Sequence, residues 1–156
     1  MPGYGILAPD EGTGLLPWSW AEERLTRSHD YWVATVCPDG RPHVMPVWGV
    51  WDGESLWFSS SLGSRKTRDL ERDPRCAIAT DNAFEPVVLE GVAERVTDLA
   101  AIAVFLDATN TKYWTDYTID FLDPEANASF RVRPQRVFGL TEEDFPGSPT
   151  RWSFEE

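Results

Sequence analysis

The chain has 156 residues and a formal net charge of −12, from 14 Lys and Arg against 26 Asp and Glu, with 42% hydrophobic and 13% aromatic residues. That length suits a single domain spanning 1–156, able to bury roughly 68–70% of its unfolded surface. So acidic a chain is excluded from non-specific binding to nucleic acid or anionic lipid, which requires a basic face, and it holds no run of about 18 apolar residues to span a membrane. The opening MPGYGILAPDEG has neither the basic start nor the apolar core of a signal peptide. Cys37 and Cys76 belong to no CxxC motif, so reduced thiols in a cytoplasmic protein are expected.

Residues 1–17, rich in Gly and Pro, read as an irregular arm. Ser19-Trp20-Ala21-Glu22 matches a capping box and predicts a helix to about Ser28. YWVATV, RPHVMPVWGVW and SLWFSS follow as β-branched and aromatic strands, separated by the turn signals CPDG and DGE, and predict a three-stranded antiparallel meander. Pro42 and Pro46 interrupt the ladder of the second strand, which suits a sheet edge or a bulge. A short helix from Ser64 to Arg72 stops at Asp73-Pro74. RCAIAT and EPVVLEGVAERV are strands, the second bending at Gly91. TDLAAIAVFLDAT is a helix capped at Thr97 or Asp98 with Leu99, Ile102, Ala103 and Leu106 on one face. An aromatic, irregular stretch then leads to one or two strands in ASFRVRPQRVFGL and a tail over 142–156. About six strands, mostly hairpin-connected, predict a mainly β fold, an antiparallel barrel with short flanking helices.

One segment carries the chemistry. Five of the fourteen bases (Arg65, Lys66, Arg68, Arg72 and Arg75) fall within SLGSRKTRDLERDPR. A helix N-terminus favours acidic side chains, yet Arg65 and Lys66 occupy the first turn while Asp69, Glu71 and Asp73 lie toward the other end. An anion at the helix start resolves the conflict, with free backbone N–H groups, the Ser64 hydroxyl, a guanidinium and an ammonium converging on it, and phosphate is the natural candidate. The alternative is a surface helix whose bases pair with nearby acids, such as Arg65 with Asp69 at i, i+4.

WFSSSLGSRKTRDLERDPR resembles the pyridoxamine 5′-phosphate oxidase family of flavin-binding split barrels. The resemblance extends from VATVCPDGRPHVMPVWGVWDG to LEGVAERV, about two thirds of the chain. The Pro-Val-Trp form of the second strand and the ending PTRWSF are closer to its flavin/deazaflavin oxidoreductase branch. The resemblance implies a six-stranded split barrel that binds FMN, or alternatively the deazaflavin coenzyme F420. Arg65 and Lys66 would be phosphate ligands with Ser64 at the helix start, Ser59 and Ser60 would contact phosphate or ribityl, and Val44, Met45, Pro46, Val47 and Trp48 would lie along the ring. It further implies a homodimer with the cofactor at the subunit interface, to which Arg151 and Trp152 of the tail would cross over, and places Glu90 on a strand facing the cofactor. Two departures stand against vitamin B6 oxidation. The family's Lys at the end of the second strand is replaced near Gly49, and no Arg-Leu-His type motif closes the chain.

The implied function is hydride transfer between the bound cofactor and a small organic substrate. No residue is assigned as acid or base, and Trp48, Trp51, Tyr113 and Trp114 are candidate walls of the substrate pocket. The alternative is a non-catalytic binder of flavin, deazaflavin or haem with the same fold. With His29 and His43 as the only histidines, a three-His metal site is excluded. His43 could meet the ring edge or face a neighbour. Cys76 reads as a structural thiol and Ser59 to Ser61 lack a hydrolase setting. Asp116, Asp120 and Asp123 are solvated or belong to a substrate lid.

Overall fold

Eight strands form one antiparallel sheet whose two ends are joined by a single residue, in a computed structural model that describes residues 4–8 and 10–155. The strands are β1 (Asp30–Val36), β2 (Pro42–Trp48), β3 (Val50–Trp51), β4 (Leu56–Ser61), β5 (Arg75–Thr80), β6 (Val87–Val96), β7 (Asn127–Gly139) and β8 (Thr150–Ser153). Their order is β2-β1-β5-β6-β7-β4-β3, with β8 added to β7. β2 and β3 are separated only by Gly49, yet they stand at opposite ends of that order. The sheet therefore curls until its edges meet at Gly49, and it remains split where β2 passes β4 without pairing. This is a mainly β split barrel.

The predicted meander is corrected here. β1 and β2 form a hairpin, Asp30 opposite Trp48 and Val36 opposite Pro42, but β4 pairs with β3 and β7 instead. RPHVMPVWGVW is thus two strands, broken where the chain crosses from one edge to the other. A Cβ on Gly49 would stand 2.9 Å from the Tyr31 ring and 3.0 Å from the Trp57 carbonyl, so only glycine fits the crossing. As Pro42 and Pro46 predict, β2 is an edge strand. The tail also contributes a strand, β8, and ASFRVRPQRVFGL, expected as one or two strands, is one continuous strand.

Period-two alternation fills the barrel. Tyr31 and Val33, Leu56 and Phe58, Ile78, Val87 and Leu89, Phe130 and Val132 all point inward and are buried. Each such side chain contributes about 1.5–3 kcal/mol on leaving water. The bend expected at Gly91 is a bulge: Glu90 opposes Arg136 and Gly91 opposes Pro134, so β7 holds one extra residue.

Three helices cover the sheet: α1 (Trp18–Arg27), α2 (Arg65–Arg72) and α3 (Leu99–Tyr113). The capping box does not form. α1 begins one residue before Ser19 with Pro17 at the cap and no side-chain cap bond, and Glu22 instead accepts from Trp51 Nε1 at 3.1 Å. α3 is capped by Asp98, which accepts from the Ala101 amide, and runs four residues past the expected end. Its buried face is Ile102, Phe105, Leu106 and Thr109, packed on Trp57 and Val96 outside the barrel, whereas Leu99 is 62% exposed. A 3-10 turn, Ile119–Leu122, adds Leu122 to this outer cluster. The described part of the N-terminal arm has no helix or strand before Trp18. It is fastened to the tail by Leu7 N–H to Pro146 carbonyl, Gly14 N–H to Gly147 carbonyl and Leu16 N–H to Thr150 Oγ1. Residues 1–3 and 9 of the arm and 156 of the tail lie outside the described residues. No described helix is long and apolar enough to cross a membrane.

Candidate functional site

The first turn of α2 closes the end of the barrel where β4 stops. The Ser64 hydroxyl caps the helix by accepting from the Thr67 amide at 3.2 Å, and it lies 2.7 Å from Ser60 Oγ. Lys66 Nζ donates to Ser60 Oγ at 3.0 Å. Arg65 makes no hydrogen bond or ion pair among the described residues, and the amides of Arg65 and Lys66 have no acceptor there. The two ends of the helix are thus treated differently. Asp73 pairs with Arg75 at 2.7 Å, Glu71 with Arg95 at 3.2 Å, and Asp69 is buried and accepts from Thr35 Oγ1 at 2.9 Å. Bonds from Arg75 hold the Asp73 carboxyl down at about 2. The i, i+4 pair of Arg65 with Asp69 does not form, because Asp69 faces inward. The acids have partners, while the two bases of the first turn form no ion pair among the described residues. Bonds from Arg41 lower the pKa of the exposed Asp39, and Arg65 adds to this only at longer range. Burial pushes the Lys66 pKa below the ordinary lysine value, with only a neutral hydroxyl against it.

From this turn a cleft of about 250 Å³ runs along the split between β2 and β4. Pro46, Val47 and Trp48 of the edge strand form one wall, and Ser59 and Lys66 lie at the polar end. Phe105 and Thr109 of α3, with Phe121 and Leu122 of the 3-10 turn, form the other wall. One edge of β2 bonds to β1 while the edge toward the cleft has no strand partner, which leaves main-chain donors and acceptors for a ligand. The site offers an anion receptor at one end, a main-chain edge along its length and apolar walls. Those groups suit a flat ligand with a phosphate at its end.

Of the residues expected from sequence, Pro46, Val47, Trp48, Ser59 and Lys66 line this cleft, Ser60 and Ser64 are hydrogen-bonded beside Lys66 at its polar end, and Arg65 precedes Lys66 on α2 as an exposed side chain. Val44 and Met45 precede them on β2 and are 54% and 45% exposed. Trp152 lies elsewhere in the chain, on β8 beside Trp18 with ring centroids 5.6 Å apart. Glu90 and Arg151 share a separate surface cavity with Val88, Arg136 and Phe138. Among the candidate walls, Trp51 is in the core against Trp18 and Trp114 is 95% exposed at the end of α3, so neither lines the cleft. Tyr113 stacks on Trp48 with centroids 4.1 Å apart and planes 1° from parallel.

Phe105, Thr109 and Phe121 were missed, and so was Lys112. Its Nζ donates to the Gly49 carbonyl and the Tyr31 hydroxyl, each at 2.8 Å. An ammonium therefore reaches the end of the second strand after all, delivered by α3. Continuing the helix through NTKY, which contains no breaker, would have placed Phe105, Thr109 and Lys112 on one face.

The model of the pyridoxamine 5′-phosphate oxidase family matches residues 21–141. The chain belongs to that family. An F420 reductase is 30% identical to it, over 74% of this chain and 94% of the other, with a TM-score of 0.62. A conserved hypothetical protein from Mycobacterium tuberculosis shares the fold at 23% identity, over 99% of this chain and 96% of the other, with a TM-score of 0.72. A heme binding protein from Mycobacterium smegmatis is 26% identical over 88% of this chain and 59% of its own, with a TM-score of 0.65. No curated protein matches the sequence.

Proposed function

We propose that the chain is an oxidoreductase that holds FMN or the deazaflavin coenzyme F420 in the β2–β4 cleft. The observation that carries the proposal is the first turn of α2, where Lys66 lines the cleft beside Arg65, neither base forms an ion pair among the described residues, and the amides of both have no acceptor there. Arg65 and Lys66 would bind the cofactor phosphate, Ser60 would orient Lys66, and Ser64 would keep the turn capped. Pro46, Val47 and Trp48 would present their main chain to the polar edge of the ring, with Phe105 and Phe121 excluding water from the opposite side. When bound, the ring supplies the hydride chemistry. The likeness to an F420 reductase supports the oxidoreductase reading and the deazaflavin alternative.

A homodimer is part of the proposal. The cleft of one chain falls short of the roughly 300–1,000 Å³ usual for a small-molecule site. Beside it the apolar surface of β1 and β2, with Trp32, Val44, Met45 and Trp48, is exposed, as expected where a second copy completes the wall. Arg151 and Trp152 could then meet the partner's cleft. The free, buried Cys37 and Cys76 fit a reducing cytoplasm.

Titration of the purified protein with FMN and with F420, followed by absorbance and tryptophan quenching, tests the proposal. One cofactor should bind, and the double variant Arg65→Ala/Lys66→Ala should lose it; binding of neither would refute it. The likeness to a heme binding protein favours one second reading, a non-catalytic haem carrier, which a Soret band on titration with haemin would reveal.

A further inference from the structure

The peptide that joins the two edges of the barrel is gripped from outside by consecutive residues of α3. The Gly49 carbonyl accepts from Lys112 Nζ at 2.8 Å, and the same ammonium donates to the Tyr31 hydroxyl at 2.8 Å. Tyr31 is buried and its hydroxyl donates a hydrogen bond to the Leu25 carbonyl of α1. The Gly49 N–H donates to the Tyr113 hydroxyl at 2.9 Å, and that hydroxyl donates to the His29 carbonyl at 2.6 Å, with the Gly49 carbonyl 3.0 Å away. Both polar groups of Gly49 therefore end on α3. Lys112 Nζ also lies over the Tyr31 and Tyr113 rings, 4.7 and 5.2 Å from their centroids.

These contacts bear on the cleft through two neighbours of Gly49. Trp48, the preceding residue, lines the cleft and has the Tyr113 ring stacked flat on it. On the other side β3 leads into β4, whose Ser59 stands at the polar end of the same cleft. Gly49 is thus the point from which β2 and the β3–β4 hairpin diverge, and the space beside it, bounded by Tyr31 and Trp57, admits no larger residue. Holding an ammonium there is unfavourable. Burial lowers the Lys112 pKa to about 8 despite Asp81 and Asp30, and burial raises that of Tyr113 to about 12.

We propose that Lys112 and Tyr113 are positioning residues of the cofactor cleft, fixing the Gly49 crossing and the plane of Trp48 and so the separation of β2 from β4 that the ring must fit. The inference rests on the flavin or deazaflavin reading above. It requires that the two residues act on the ring, whereas Arg65 and Lys66 act on the phosphate.

The experiment compares whichever of FMN and F420 the wild type binds with the same ring lacking its phosphate, riboflavin or the dephosphorylated deazaflavin. Dissociation constants, the absorption spectrum of the bound ring and melting temperatures are measured for wild type, Lys112→Met, Lys112→Arg and Tyr113→Phe. Lys112→Met and Tyr113→Phe should each raise both dissociation constants by the same factor, about tenfold, as loss of a hydrogen bond near a charged group implies. They should also shift the ring spectrum, and Lys112→Arg should recover part of both effects. Arg65→Ala/Lys66→Ala should instead weaken only the phosphorylated ligand. Wild-type affinity and spectrum in Lys112→Met and Tyr113→Phe, even with a lowered melting temperature, would overturn the positioning role and leave the cofactor reading intact. If the wild type binds neither cofactor, both fail. Should Lys112→Met not fold, Tyr113→Phe decides, since it keeps the ring on Trp48 and loses only the hydroxyl.

Discussion

The helices α2 and α3 both face the cleft, and they are built on opposite principles. α2 is eight residues long and mostly charged, and its first-turn bases form no ion pair among the described residues. α3 is fifteen residues long and largely apolar, with Ile102 and Leu106 buried over Trp57. What α2 offers a ligand is written in its own charge order, which conflicts with the helix dipole. What α3 does at Gly49 depends on a strand crossing some sixty residues earlier in the chain. A local electrostatic conflict is the ground for the proposed binding site, and a satisfied long-range network is the ground for the proposed scaffold.

That division can be broken from either side. The largest effect is expected at Ile102→Ala, which leaves a cavity between α3 and the sheet and should cost about 3 kcal/mol in denaturant unfolding, whereas Leu99→Ala on the exposed face should stay within about 0.5 kcal/mol. Equal losses at the two positions would mean that α3 is not packed as described. Next comes Arg65→Ala/Lys66→Ala, for which cofactor affinity should fall roughly a hundredfold with little change in melting temperature. If the melting temperature drops instead, the first turn of α2 is part of the scaffold and the contrast fails. Ser64→Ala removes a cap and should lower stability by about 1 kcal/mol, measured by chemical denaturation. A larger loss of affinity than of stability would show that the hydroxyl also touches the ligand.

The smallest effect is a pH dependence. The folded pKa of Lys112 is about 8, well below the ordinary value of 10.5. Between those values the unfolded chain holds a proton that the folded chain has released, so wild type gains stability relative to Lys112→Met as pH rises through the window. Melts of both proteins at pH 7.5 and 9.5 should show the difference shifting toward wild type at the higher pH. The opposite trend would mean that Lys112 is held as a favoured ammonium.

Much of the cleft was legible because its chemistry is local. Ser64, Arg65 and Lys66 are contiguous, and the inverted charge order is visible without knowing where the helix lies. The prolines of β2 marked it as an edge, since a missing N–H is tolerated only there. The family pattern then supplied Pro46, Val47, Trp48 and Ser59. By contrast, aromatic character alone points to Trp51 and Trp114 as walls, and nothing in a tryptophan says whether it faces a core, a cleft or solvent. The Ser19 capping box matched the pattern, yet the helix starts at Trp18 with Pro17 at the cap, two residues earlier than a Ser19 cap implies, and Glu22 bonds to Trp51. The expected apolar face of α3 was displaced because Leu99 and Ala103 satisfy the helical period equally well; only the position of Trp57 and Val96 selects Ile102, Phe105, Leu106 and Thr109.

By itself the sequence determined the strand character of most segments, the edge position of β2, the end of α2 at Asp73-Pro74 and the charge anomaly at Arg65 and Lys66. These follow from side-chain sterics, missing donors and net charge, which act over a few residues. Only the tertiary structure decided that β2 and β3 part at Gly49 to opposite edges of the sheet, that Asp69 turns inward, and that Lys112 and Tyr113 arrive at the crossing. Strand order and long-range hydrogen bonds are selected by how the whole apolar surface is buried at once, and no stretch of a few residues carries that information.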